Sequence, residues 1–132
     1  MNRRRSESLR VVVPEPGRVR SLGATAGFGW LDARLWRDGW LATMSPQDLA
    51  VYAFLCLVAD RQGVSSYRRD RIRAALELDE RVVWQALGRL ERLGLVAYRP
   101  FDVHASEGFW QVLAVPTGGP PPLGLLASGD EP

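Results

Sequence analysis

The sequence has no lysine, one cysteine and one histidine, and no apolar run approaches the length of a membrane span. Each scarcity excludes something. Cys56 can form no internal disulfide, and inside the apolar stretch around it reads as a small buried hydrophobe. His104, far from Cys56 in sequence, offers no partner for a metal cluster and reads as an ordinary loop residue. The longest apolar candidate, Leu49 to Ala59, is ended by Asp60. The charged opening Met1-Asn2-Arg3-Arg4-Arg5 leads into no long apolar stretch, so no secretory signal is expected and the chain reads as cytoplasmic. No glycine-rich phosphate loop follows a strand, because Gly27-Phe28-Gly29 lacks the rest of such a motif. The adjacent carboxylates Asp79 and Glu80 are explained by helix capping. The expectation is therefore no catalysis, no cofactor and no metal.

What is present is a chain of 132 residues, the size of one domain with tails, with an apolar fraction sufficient for a core. The net charge of +2 is small, and its distribution matters more than its sum. All 17 basic residues are arginine. Residues 1–22 hold six Arg against two Glu, residues 68–99 hold eight Arg against five acids, and the remainder is acidic. Positive charge is thus gathered into two patches, and Arg is the better reader of phosphate and guanine.

Residues 1–23 mix charge with Pro14, Pro16 and Gly17, which predicts a basic disordered arm with at most a short strand at Val11 to Val13. Residues 24–44 form a Trp-rich extension containing Trp30, Trp36 and Trp40, expected to pack on the domain. Within it Asp32 can cap a short helix over 33–38, with Gly39 as its stop and Leu31, Leu35 and Trp36 on one face. Residues 117–132, rich in Pro and Gly, predict a disordered tail.

Residues 45–116 carry the domain. Ser45-Pro46-Gln47-Asp48 is a helix start, with a serine cap, proline at the first helical position and an acid completing a capping-box-like pattern. That helix should run to about Asp60. Leu49, Tyr52, Ala53, Cys56 and Ala59 form one stripe, while Val51, Phe54, Leu55 and Val58 make it apolar nearly all round. Such a helix needs cover on both sides. The second cover is either the Trp-rich extension or a second copy of the chain, a homodimer using Val51, Phe54 and Val58. Gln62-Gly63 marks a turn, and Val64 to Tyr67 predicts a short strand. A second helix follows over about Arg69 to Leu78, with Ile72, Ala75 and Leu76 inward. Asp79 then caps a third helix over Glu80 to Leu93, and Gly94 sits where a left-handed stop belongs. Strands are expected at Leu95 to Phe101 and Phe109 to Val115, around the loop Asp102 to Gly108. The expected fold is mainly α with a small β-hairpin: a three-helix core plus a wing.

The third helix is two-sided. Val83, Ala86, Leu87, Leu90 and Leu93 gather on one side, with Arg81, Gln85, Gly88, Arg89 and Arg92 opposite and Trp84 at the edge. Arg81, Gln85 and Arg89 recur every four residues and so line up along the helix surface. A helix lying in a DNA major groove needs such a face, since Arg grips guanine and Gln grips adenine, while Gly88 admits a close backbone. Arg68, Arg69, Arg71 and Arg73, near the start of the second helix, suit phosphate contacts.

The stretch Val82-Val83-Trp84-Gln85-Ala86-Leu87-Gly88-Arg89-Leu90-Glu91-Arg92-Leu93-Gly94-Leu95-Val96 resembles the third helix and following strand of bacterial winged helix-turn-helix proteins. The resemblance covers about residues 45–116 and is specific for a fold rather than one family. It implies double-stranded DNA as partner, with Arg81, Trp84, Gln85, Arg89 and Arg92 facing it. The roles it implies are transcriptional regulation or, in replication initiators and mobile-element accessory proteins, DNA binding of another kind. The wing departs from that pattern. Asp102, His104 and Glu107 stand where relatives carry basic residues, and acids are repelled by phosphate. The arm at Arg3 to Arg5 could replace the wing along a groove. The acidic wing, the tryptophans and the over-apolar first helix also fit a protein-protein interaction module.

Overall fold

A computed structural model describes residues 10–18, 20 and 27–122. The proposed Arg3 to Arg5 contact and most of the predicted tail lie outside the described residues. The elements run α1 (Arg34–Arg37), α2 (Pro46–Val58), β1 (Val64–Ser65), α3 (Arg69–Leu76), α4 (Glu80–Arg92), β2 (Val96–Pro100) and β3 (Gly108–Val112). Among the described residues this is an α-rich arrangement of four α-helices and one small antiparallel sheet, ordered β1-β3-β2. Val11 to Val13 form no strand and are exposed.

The helix ends follow local chemistry. At α2 the Ser45 hydroxyl accepts from the Asp48 N–H at 3.0 Å, and the Asp48 carboxylate accepts from the Ser45 N–H at 3.2 Å. That reciprocal box satisfies two donors that a helix start otherwise leaves unpaired. The helix ends at Val58, short of the expected Asp60, because Asp60 works in the next turn. Its carboxylate accepts from the N–H groups of Gln62 and Val64 at 2.8 and 3.0 Å. These bonds hold the Asp60 carboxyl below its ordinary pKa. α3 stops at Leu76, two residues early, since Glu77 turns left-handed at φ 53°. α4 ends on Gly94 at φ 79°, with Leu95 N–H bonded to the Leu90 carbonyl and Gly94 N–H to that of Glu91. This pair of bonds is a Schellman stop, which favours glycine at that position.

The core is a single cluster. From α4 it takes Val83, Ala86, Leu87 and Leu90, and α2 adds Val51, Tyr52 and Leu55. Ile72, Leu93, Leu95, Val96, Trp110 and Val115 complete its sides. Truncating a buried leucine such as Leu87 to alanine should cost about 2–5 kcal/mol. Two expected positions differ. Ala75 is exposed, because the inward turn of α3 is carried by Ile72 and Leu76. Val51 is fully buried against the rest of the domain, so it cannot contribute to a dimer surface as expected.

Register explains the sheet. Tyr98 pairs with Trp110 and their rings pack on the inner side at 4.6 Å between centroids. Arg99 pairs with Phe109 on the outer side, where both are exposed. β1 adds to the free edge of β3 through Val64–Gln111 and Ser65–Trp110. Gly63 makes the join: its φ is +85°, its carbonyl accepts from the Val112 N–H at 2.8 Å, and an added Cβ would lie 2.6 Å from the Val112 carbonyl oxygen.

The Trp-rich extension divides in two. Leu35 and Trp40 are buried in the core, while Trp30, Leu31 and Trp36 stay exposed. The expected shared face of Leu31, Leu35 and Trp36 is therefore not formed, because α1 spans one turn and buries Leu35 alone. The N-cap is Ala33 rather than the expected Asp32; from one position earlier, the Asp32 carboxylate accepts from the Arg34 N–H at 2.9 Å. At the start of the tail, Gly119 to Pro121 are half-buried, with Gly119 close against the Asp38 carbonyl.

Candidate nucleic-acid interface

α3 and α4 are joined by Glu77-Leu78-Asp79, where the left-handed Glu77 redirects the chain and Asp79 caps α4 through the Arg81 N–H at 3.2 Å. Packing then fixes the rotation of α4. With Val83, Ala86, Leu87 and Leu90 inward, Arg81, Trp84 and Gln85 stand exposed on its first two turns. Arg68, Arg71 and Arg73 are exposed around α3. These six predicted residues are all exposed on α3, on α4 or at the start of α3.

Arg89 does not stand with them. Its Nε donates to Asp48 Oδ2 at 2.9 Å and its Nη2 to Oδ1 at 2.8 Å, a two-pronged bond to a carboxylate that is 1% exposed. The expectation that Arg89 lies on the outward line with Arg81 and Gln85 is corrected. The drift of a 3.6-residue turn over eight positions carries it to the flank facing α2, where a buried charge needs an opposite one. Asp48 thus joins two roles, closing its own helix start and tying α2 to α4. The sequence signalled the first role alone.

Arg69 is also committed. Its Nε lies 3.4 Å from Glu107 Oε1, and its Nη2 donates to the Ser106 carbonyl. Its guanidinium lies 3.7 Å from the Trp84 ring centroid, a cation–π contact. Glu107 also accepts from the Arg69 backbone N–H at 3.3 Å. This bond supplies the cap that α3 lacks, since Arg68 at its N-cap makes no side-chain cap bond. The loop acid that counted against a phosphate contact is therefore spent inside the protein. Arg69, expected among the phosphate contacts, here tethers the β2–β3 loop to α3.

Arg92, near the end of α4, is exposed, and its guanidinium folds back over Gly88, 3.4 Å from where a Cβ would be. The opening expected above Gly88 is filled by that side chain. Asp102 and His104 remain exposed in the loop, where the Asp102 carboxylate accepts from the His104 N–H at 2.8 Å. Among the described residues no cluster of His, Cys, Asp or Glu could hold a metal ion, and no helix is long and apolar enough to cross a membrane. In comparisons with family models, curated proteins and solved structures, nothing matches this chain.

Proposed function

We propose that residues 45–116 form a winged helix-turn-helix and that α4 enters the major groove of double-stranded DNA, the protein acting as a transcriptional regulator. One observation supports this above the others. α4 follows α3 after a three-residue turn, buries one face completely and presents Arg81, Trp84 and Gln85 on the other, beside the exposed Arg68, Arg71 and Arg73. Arg81 and Gln85 carry the hydrogen-bonding groups that distinguish guanine and adenine, and the apolar edge of Trp84 matches a thymine methyl. The three α3 arginines would grip phosphate and set the register. The β2–β3 loop, held to α3 by Glu107, brings no cation, so contact runs through the helices.

Fluorescence anisotropy on the full chain with a random duplex pool, across salt, tests this. Three exposed arginines acting on phosphate predict a slope of log K against log salt of about −2.7 per protomer. Arg71→Ala should weaken all sequences alike, whereas Gln85→Ala should narrow the difference between preferred and random sites. Undetectable or salt-independent binding would overturn the reading. That result would favour a protein-interaction module, for which the exposed Trp30, Trp36 and Leu57 speak.

A further inference from the structure

A cavity of about 610 Å³, to which α4 contributes no lining residue, opens between the extension, the second half of α2, the turn at Asp60 to Gly63 and the chain leaving β3. The extension is seated directly on α2. An added Cβ at Gly29 would lie 2.7 Å from the Cys56 carbonyl oxygen, so only glycine permits that approach. Phe28 and Trp30 flank the contact and line the cavity, yet they remain 61% and 73% exposed. The described residues leave these rings largely uncovered. Tyr52, itself buried, forms the floor side, with Cys56 beside it.

The charges are as telling as the rings. Asp32 and Asp60 both line the cavity. The Arg34 guanidinium beside Asp32 holds its carboxyl down to about 2, and backbone N–H groups hold that of Asp60 below its ordinary value. Both are anionic at neutral pH. Asp32 is paired with Arg34, which does not line the cavity, and among the described residues the one lining cation is the exposed Arg61. The lining therefore combines two exposed rings and the buried Tyr52 with two carboxylates, one of them paired to Arg34 outside the cavity, against the one guanidinium of Arg61.

We propose that this cavity is a binding site for a small organic cation with an apolar body, an aromatic or quaternary amine. Ring faces carry negative charge density and attract cations, most strongly where water is partly excluded. The volume lies within the range of small-molecule sites, which combine an apolar lining with a few polar groups. An anionic ligand would meet both carboxylates, and a neutral one would gain no ionic attraction from them. The site is independent of the DNA reading and stands or falls without it.

Isothermal titration of the full chain with benzyltrimethylammonium, benzyl alcohol and benzoate, which share a ring and differ in charge, tests the proposal. The cation should bind saturably and at least tenfold tighter than either of the others. Trp30→Ala and Asp60→Asn should each weaken it by about fivefold or more, with cooperative thermal melting showing that both variants fold. The bound cation should also slow alkylation of Cys56 by iodoacetamide. No saturable binding up to 10 mM cation, equal affinity for the three probes, or a Trp30→Ala variant that binds as the parent does would each overturn it.

Discussion

Replacing Arg89 by methionine separates a structural arginine from a base-reading one. Methionine keeps the length of the stem and removes the charge, leaving the Asp48 carboxylate buried with one side emptied. Removing one partner of a fully buried pair costs about 3–5 kcal/mol. Here the loss is smaller, because the Arg89 side chain is 27% exposed and Asp48 keeps its bond from the Ser45 N–H. A value of about 2–3 kcal/mol follows, or roughly 10–20 °C in melting temperature for a domain of this size. Asp48→Asn should lose a similar amount, and the double variant should lose clearly less than the two single losses together, since no unpaired charge remains. Urea denaturation and thermal melting followed by circular dichroism read all three. Arg81→Met is the control and should stay within about 0.5 kcal/mol of the parent. If Arg89→Met melts as the parent does and only DNA affinity falls, Arg89 points to the groove and the ion-pair reasoning is wrong.

Glu107→Gln removes the charge that tethers the β2–β3 loop to Arg69, and should cost about 1 kcal/mol of stability. It should also raise low-salt DNA affinity roughly threefold and steepen the salt slope by about 0.9, as one more cation faces phosphate; an unchanged slope would show that Arg69 stays turned away. Gly63→Ala forces a side chain into the left-handed region and against the Val112 carbonyl, which predicts a loss of about 2–3 kcal/mol by denaturant titration, and a stable variant would refute the tight join. Burial pushes the Cys56 thiol above its ordinary value of 9.0, so its alkylation at pH 8 should be slower in the folded chain than in urea. The sign for stability follows. Above the ordinary value the unfolded chain ionises first, so this thiol subtracts stability as pH rises past about 9. A native alkylation profile centred at or below the ordinary value would contradict that.

The candidate site was legible in unequal parts. The inward residues of α4 could be read because burial repeats with the helix turn, and the four predicted within it, with Leu93 at its C-cap, are all buried. The outward residues were harder, since a helical wheel assigns a flank residue to either side. Arg89 shows the limit. It is four residues from Gln85, yet what turned it inward is Asp48, 41 residues away. The Arg69–Glu107 tether spans 38 residues and left no local mark except an acid in a loop where the resemblance implied a base.

The two-sided third helix with which the domain was first read therefore divides by the range of the forces involved. By itself the sequence determined where α2 and α4 begin and where α4 stops, through Ser45, Pro46, Asp79 and Gly94, and which stripe of α4 is buried. Capping bonds and hydrophobic periodicity act within a few residues, so they are written locally. Only the tertiary structure decided which arginines remain on the surface, which tryptophans are covered and how β1 joins the sheet. A charge or an indole is satisfied by whatever the fold brings beside it, and that partner can lie anywhere along the chain.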